Sequence, residues 1–109
     1  MFYVYMVTNK PNGTLYIGQT DDLSKRAFEH KTKVYPGFSR KYGCTKLVWF
    51  ERHETRASAV LRETRMKEWK RSWKIRRIMK LNPDWNDLSE EWTETDVFDK
   101  RRLFDPAVL

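Results

Sequence analysis

The sequence contains one cysteine, Cys44, among its 109 residues. A single thiol cannot form an internal disulfide, and it cannot supply the several cysteines of a structural zinc site. No apolar run approaches the roughly 20 residues that a helix needs to span a bilayer. The first residues alternate as a strand does and have no basic leader, so we expect no secretory signal. These absences predict a cytoplasmic protein without a membrane partner.

Several common catalytic motifs are also missing. The sequence has no glycine-rich phosphate loop and no Gly-x-Ser-x-Gly turn, and His53-Glu54 is not followed by the second histidine of a His-Glu-x-x-His zinc motif. Cys44 has no neighbouring feature that would activate a nucleophile, so we interpret it as a small, half-buried thiol. These types of site are therefore set aside.

Positive charge is abundant and unevenly distributed. The net charge is +7, and because residues 89–109 contain six acids and three bases, the first 88 residues carry +10. A compact domain with this excess attracts polyanions, and nucleic-acid backbones are the commonest of these. A basic surface that only keeps the protein soluble explains the same composition.

The chain is short enough for one domain, which we assign to residues 1–88. Alternating apolar residues predict two strands, joined by a turn at residues 10–13, and a third strand at residues 46–52. One helix is predicted from Asp22 to about Lys31, and a second over about residues 56–70. A further helical segment is predicted to continue to Lys80, with Ser72 as a new N-cap. Residues 89–109 have weak periodicity, and we expect a tail that is weakly structured or folded back on the basic surface.

Two stretches mix bases with aromatic rings. The loop at residues 32–45 is one, and residues 67–80, with seven bases and one acid, are the other. Such mixtures are typical of surfaces that follow a phosphate backbone and stack bases, and equally typical of a solvated loop or helix face. The candidate nucleic-acid contacts are Lys67, Lys70, Arg71, Lys74, Arg77, Arg40 and Lys41.

One carboxylate interrupts the apolar side of the predicted helix at residues 56–70. Glu63 follows Ala59 by four residues and precedes Met66 by three. A carboxylate beside a buried stripe needs a partner or a metal to offset its desolvation. An ion pair with Lys67, one helical turn later, would satisfy this need without any catalytic role.

Tyr5, Tyr16, Arg26, His30 and Glu63 together suit phosphodiester hydrolysis. The attacking water needs a proton acceptor, the phosphate needs cationic donors, and the departing oxygen needs a metal or an acid. One carboxylate can hold Mg²⁺ when waters and the substrate phosphate complete the shell. A phenol with a pKa of about 10 is a weak base at pH 7 unless nearby positive charge favours the phenolate.

The sequence resembles the GIY-YIG nuclease superfamily in four elements that occur in the family's order. They are Tyr3-Val4-Tyr5, Tyr16-Ile17-Gly18, Asp22-Leu23 with Arg26 and His30, and Glu63. The pattern is most similar to its small stand-alone bacterial branch, which is related in this domain to the incision component of the excision-repair nuclease and to homing endonucleases. The similarity covers roughly residues 1–80. It implies an α+β fold in which helices flank a three-stranded antiparallel sheet. It also implies an endonuclease that cleaves DNA with Mg²⁺ or Mn²⁺, in repair or recombination.

The resemblance further implies a role for each site residue. Glu63 would hold the metal, and Tyr5 would take the proton of the water. Tyr16 would support the phosphate or the leaving group, and Arg26 would stabilise charge on the phosphate. His30 would orient or deprotonate a tyrosine.

Two more residues are weaker candidates for the site. Gly18 would let the backbone or the substrate approach closely. Asn82 is a loose match to the asparagine that often ends the family's site. The first motif departs from Gly-Ile-Tyr in having Tyr3-Val4, which keeps Tyr5.

Two other functions fit the same residues. The first is a non-catalytic module that binds structured DNA or RNA with strong salt dependence. The second is a protein-interaction domain without affinity for nucleic acid. The sequence indicates neither the shape or sequence of a DNA target nor the oligomeric state, and nicked DNA, structured DNA and RNA all stay open as partners.

Overall fold

The computed structural model of the chain describes residues 1–34 and 36–90. In these residues, strands β1 (Phe2–Thr8), β2 (Leu15–Thr20) and β3 (Lys46–His53) form one antiparallel sheet in the order β2-β1-β3. The helices are α1 (Leu23–Lys31), α2 (Phe38–Lys41), α3 (Arg56–Glu68) and α4 (Arg71–Leu81). The predicted α+β fold with a three-stranded antiparallel sheet is confirmed. The predicted tail lies outside the described residues from position 91 onward.

The central strand β1 is buried on both of its faces. Val4 and Met6 belong to one apolar cluster, while Tyr3 and Tyr5 belong to the other, as the two-residue period of a strand requires. The turn to β2 is closed by a bond from the amide of Gly13 to the carbonyl of Lys10, at 2.9 Å. Asn12 in this turn has a positive φ of 56°, a conformation that asparagine tolerates.

Helices cover both faces of the sheet. On one face, α3 and α4 complete a cluster with Val4, Met6, Ile17, Val48, Trp49, Ala59, Met66, Ile78 and Trp85. On the other face, α1 completes a cluster with Tyr3, Tyr5, Val7, Leu23, Ala27, Cys44 and Leu47. Full burial of a side chain such as Met66 or Ile78 contributes about 1.5–3 kcal/mol, so these contacts hold the helices in place.

The turn after α4 is anchored to both clusters. Trp85 is buried against the α3 side, and Leu88 packs against the α1 side. The amide of Leu88 donates to the carbonyl of Leu47 at 2.7 Å. The side-chain nitrogen of Asn82 donates to the carbonyls of Val48, at 3.2 Å, and Asn86, at 2.8 Å.

The helix between residues 56 and 81 breaks earlier than predicted. α3 ends at Glu68, and the backbone is extended at Trp69 and Lys70, with ψ of 148° and 145°. The prediction of Ser72 as a cap was wrong, because α4 begins after Lys70 and no side chain caps it. None of the helices in the described part of the chain is long and apolar enough to cross a membrane.

Three large apolar residues of α1 and α3 lie at the surface. Phe28 is 40% exposed, Val60 41% and Leu61 51%. The buried side of α3 is narrower than its sequence suggests, since only Ala59 and Met66 are fully buried on it. Cys44 is more buried than expected, and burial raises the pKa of its thiol, which argues against a nucleophile.

Candidate active site

Tyr5 of β1 and His30 of α1 meet in the layer between the sheet and α1. Both are fully buried, with 1% and 2% of their surface exposed. The phenolic oxygen of Tyr5 lies 2.9 Å from Nε2 of His30, and the ring centroids are 5.4 Å apart. Tyr5, the last residue of the Tyr3-Val4-Tyr5 motif, thus contacts His30 both through its hydroxyl and through the edge of its ring.

The other ring nitrogen of His30 fixes the direction of the hydrogen bonds. Nδ1 lies 2.5 Å from Oγ of Ser39, and that Oγ lies 3.3 Å from the carbonyl oxygen of Cys44. A carbonyl only accepts and a hydroxyl has one proton, so Ser39 donates to Cys44 and accepts from Nδ1–H. Nε2 is then the acceptor in this tautomer, and the Tyr5 hydroxyl donates to it.

The charge state of His30 follows from its surroundings. Burial, and after it the positive charge of Arg26, lowers the pKa of His30 from 6.5 to about 4. The imidazole is therefore neutral at physiological pH and able to accept a proton. Arg26 is half-buried one turn earlier on α1, with Nε 3.4 Å from a carboxylate oxygen of Glu29.

Tyr16 of β2 completes an aromatic group around the histidine. Its ring centroid lies 5.5 Å from His30 and 6.3 Å from Tyr5. Its outer neighbour is Phe38 of α2, whose ring is stacked at 6.3 Å. Tyr5, Tyr16 and His30, which come from three different elements, are thus brought together.

Gly18 makes room for the phenol of Tyr5. The two residues face each other across the β1–β2 ladder. A Cβ at Gly18 would lie 2.5 Å from the Tyr5 hydroxyl and 2.6 Å from the ring carbon that bears it. The close approach expected at this glycine is therefore made by a side chain of the site, and any other residue here would displace the phenol.

Glu63 occupies the other side of the sheet, on α3. Its side chain is 18% exposed, and Oε1 lies 2.8 Å from Nζ of Lys67. The ion pair that the sequence left open as a structural explanation is thus present. No three His, Cys, Asp or Glu side chains gather into a metal site within residues 1–34 and 36–90.

Two contacts show the direction in which α3 runs relative to β2. Arg56, at the start of α3, pairs with Asp21 at 3.6 Å, and Arg71 donates to the carbonyl of Gly13 at 2.6 Å. α3 therefore runs antiparallel to β2.

A polar atom that sequence reasoning missed lies on the same strand. Gln19 follows Gly18 and shares a strand face with Ile17, which packs against α3. Its Oε1 is buried and has no hydrogen-bond partner in the described part of the chain. Ser39 was also missed, because its contact with His30 crosses a loop and follows no sequence spacing.

The predicted nucleic-acid contacts lie in two groups. Arg40 and Lys41 are exposed on α2, where Lys41 lies 5.5 Å over the ring of Tyr42. The larger group surrounds the α3–α4 junction and consists of Lys67, Lys70, Arg71, Lys74 and Arg77.

Three members of the larger group make internal bonds, and one of them is Lys67, through its ion pair with Glu63. Arg71 holds the carbonyls of Asn12 and Gly13, both at 2.6 Å. Lys74 donates to the carbonyl of Lys67 at 3.3 Å. Burial, together with the charge of Arg71, lowers the pKa of Lys74. The remaining bases present their charge with fewer internal demands.

Asn82 has structural contacts at both ends of its side chain. Its nitrogen donates to Val48 and Asn86, and its oxygen accepts from the amide of Asn86 at 3.1 Å. The residue is 4% exposed. These bonds account for an asparagine at this position without a contact to substrate.

Comparison with known proteins agrees with the motif. A family model described as the GIY-YIG catalytic domain matches residues 1–77. The UPF0213 protein CPE1444 of Clostridium perfringens is 36% identical over 78 residues, which are 72% of this chain and 83% of the relative. The UPF0213 protein HQ_3675A of Haloquadratum walsbyi is 35% identical over 72 residues, 66% of this chain and 80% of the relative.

A solved structure is also similar. The solution NMR structure of the UPF0213 protein BH0048 from Bacillus halodurans has 25% sequence identity and a TM-score of 0.47, and the match covers 85% of this chain and 100% of that one. None of these names states a substrate. The family model covers most of the chain and includes every residue of the motif, so this protein belongs to the GIY-YIG family, a nuclease superfamily.

Proposed function

We propose that this protein is a divalent-metal-dependent endonuclease that hydrolyses phosphodiester bonds in DNA. The observation that carries the proposal is the buried chain from Tyr5 through His30 to Ser39. It gives one phenol a neutral, oriented proton acceptor next to an arginine. Binding of nucleic acid alone does not require this arrangement.

Tyr5 is the residue that would activate the water. Transfer of its proton to Nε2 of His30 leaves a phenolate, which can take a proton from a water as that water attacks phosphorus. A bound phosphate opposes the effect of Arg26 on His30 and so raises the pKa of the imidazole toward its usual value. Arg26 favours both the phenolate and the charge that develops on the phosphate.

The described residues fit a divalent metal with few protein ligands. Mg²⁺ keeps several waters and commonly takes one or two protein oxygens together with substrate phosphate. Glu63 and the unpartnered Oε1 of Gln19 are the oxygens available on the α3 side of β2. When bound, Mg²⁺ or Mn²⁺ would supply positive charge to the departing oxygen.

DNA as the substrate is supported by charge and by family. The first 88 residues carry a net charge of +10, and the predicted nucleic-acid contacts among their bases lie on α2 and around the α3–α4 junction. β2 is an edge strand, so a phosphate at the level of Gly18 can be approached from both faces of the sheet. A place in DNA repair or recombination is the part of the proposal that rests on family alone.

The metal role is tested by the Glu63→Ala variant. Supercoiled plasmid, single-stranded and branched DNA are incubated with Mg²⁺ or Mn²⁺, and cleavage is followed on gels. We expect cleavage by the wild-type protein, its loss with EDTA, and at least a 100-fold lower rate for Glu63→Ala, the scale of one catalytic group. Glu68→Ala, which removes an exposed acid of the same helix, should cleave normally. Persistent cleavage by Glu63→Ala would refute the role of Glu63.

A second function is favoured by one contact. Lys67 already neutralises Glu63, so the site as it stands has no demand for a metal. A non-catalytic module for structured DNA or RNA would bind with strong salt dependence and without cleavage. Tyr5→Phe would then leave the affinity unchanged, and no metal would convert the complex to product.

A further inference from the structure

A groove at the α3–α4 junction stands apart from the tyrosine cluster. It has a volume of about 340 Å³ and is lined by Trp69, Trp73, Arg76, Arg77 and Lys80. A second hollow of about 330 Å³ shares Arg77 and Lys80 and continues past Phe50 and Leu81. We call the first of these the Trp73 groove. It joins aromatic rings and cations: Trp69 also packs against the core, whereas Trp73 is exposed.

The cations of the Trp73 groove form no ion pair with any acid in the described part of the chain. In residues 1–34 and 36–90, no ion pair involves Arg76, Arg77 or Lys80. The guanidinium of Arg77 lies 5.7 Å from the ring centre of Trp69, and that of Arg62 lies 5.0 Å from it. The indole therefore helps to hold positive charge at the groove, where a polyanion can use it.

Trp73 presents an indole to solvent. It is 48% exposed, and its inner contact is Trp69, edge to face, with ring centroids 6.4 Å apart. Burial of α4 depends on Ile78, which is fully buried, so the fold does not require an indole at position 73. A large exposed ring beside three cations that have no ion pair in residues 1–34 and 36–90 is typical of a platform on which bases stack.

We propose that the Trp73 groove binds an unpaired stretch of nucleic acid, with a base stacked on Trp73 and phosphates on Arg76, Arg77 and Lys80. The inference rests on the proposed function for its choice of nucleic acid and extends it to a substrate class. The preferred DNA carries a single-stranded segment, because bases inside a duplex are already stacked on each other. Stacking of one base is worth about 5- to 150-fold in affinity.

The test measures binding without cleavage. Two labelled DNAs are titrated with the full-length protein in EDTA, a 15-nucleotide oligothymidine and a blunt 15-base-pair duplex. Binding is recorded as fluorescence anisotropy. Trp73→Ala should bind the oligothymidine at least tenfold more weakly and the duplex within about twofold of wild type. Trp73→Phe, which keeps an aromatic face, should stay within about threefold. Leu61→Ala, which shortens an exposed apolar side chain on α3, should bind as wild type does.

The cations are tested by the salt dependence of the same binding. Each of Arg76→Ala and Lys80→Ala should lower the slope of log K against log salt by about 0.7, the value for one phosphate of a single strand. Arg65→Ala removes an exposed charge of α3 that does not line the groove and should leave the slope unchanged. Equal slopes for all three variants would overturn the assignment of phosphates to the groove.

The outcomes separate this inference from the proposed function. If Trp73→Ala binds oligothymidine as tightly as wild type, the inference is overturned, and a protein segment becomes the candidate for the groove. If wild type binds through the groove but cleaves no DNA with any metal, the nuclease proposal fails and the groove assignment stands. Loss of binding in both Trp73→Ala and Trp73→Phe would overturn the stacking role.

Discussion

Tyr5 can join the site because the residue opposite it has no side chain. Its phenol lies over Gly18, where a Cβ would meet the hydroxyl at 2.5 Å. From there it reaches His30, which Ser39 holds from the other side. Each of these buried polar groups has a partner, so the site adds no unsatisfied donor to the core.

Gly18→Ala should disable the site through Tyr5. The added methyl group forces the ring away from His30, and overpacking of this kind costs about 1–3 kcal/mol of stability. We expect cleavage to fall about 100-fold while the protein stays folded by circular dichroism. In a Tyr5→Phe background the same change should have little further effect on the rate, since the hydroxyl is already absent. Rate losses that multiply would show that Gly18 acts by another route.

His30 should make the protein less stable in mild acid. Its pKa is lowered from 6.5 to about 4 by burial and Arg26, so the unfolded chain takes up the proton first. Stability present above pH 6.5 is therefore lost as the pH falls toward 4, by about 2 kcal/mol between pH 7 and pH 5. Urea unfolding of wild type and His30→Gln at both pH values measures this difference. An equal loss in both proteins would assign it to other groups.

At the scale of elements, the strands and α1 were predictable from the sequence. Alternation over residues 2–8 marks both faces of β1, and Asp22 caps α1 with a bond from the amide of Lys25 at 3.2 Å. A break between α3 and α4 was predicted, but its position was not predictable, because Trp69 and Lys70 include no proline or glycine. The exposure of Leu61 escaped prediction too, since a helical period does not tell how wide a buried side is.

The same limit applies to the site. Tyr5, Tyr16 and His30 could be named because their order along the chain matches a family motif. Ser39 could not, since its contact with His30 depends on how the loop before β3 folds. The position of Glu63 relative to β2 depends on how α3 packs against the sheet, which no local pattern encodes.

Asn82→Ala should affect the fold and not the chemistry. Asn82 ends α4 and joins it to β3 and to the turn that holds Trp85. Loss of its bonds leaves buried backbone groups unsatisfied, so we expect the free energy of unfolding to drop by about 2–3 kcal/mol. The cleavage rate per folded molecule should match wild type at a temperature where both are folded. A specific fall in that rate, with unchanged stability, would return Asn82 to the site.

At the scale of the molecule, the sheet separates two surfaces with different chemistry. The α1 face carries the buried Tyr5–His30 pair, and the α3–α4 junction carries the cations and the Trp73 groove. Edge strand β2 lies between them, with Gly18 on one face and Gln19 on the other. A strand of DNA that passes this edge could be held by one surface and cleaved at the other.

The central claim, that the hydroxyl of Tyr5 starts the reaction, is tested most directly by the single-turnover cleavage rate of Tyr5→Phe. The variant keeps the ring that packs over Gly18 and removes only the atom that contacts His30. With Mg²⁺ and a branched DNA that the wild type cleaves, we predict a rate at least 100-fold lower at unchanged affinity, while Tyr42→Phe cleaves normally. A Tyr5→Phe protein that cleaves at the wild-type rate would contradict the account.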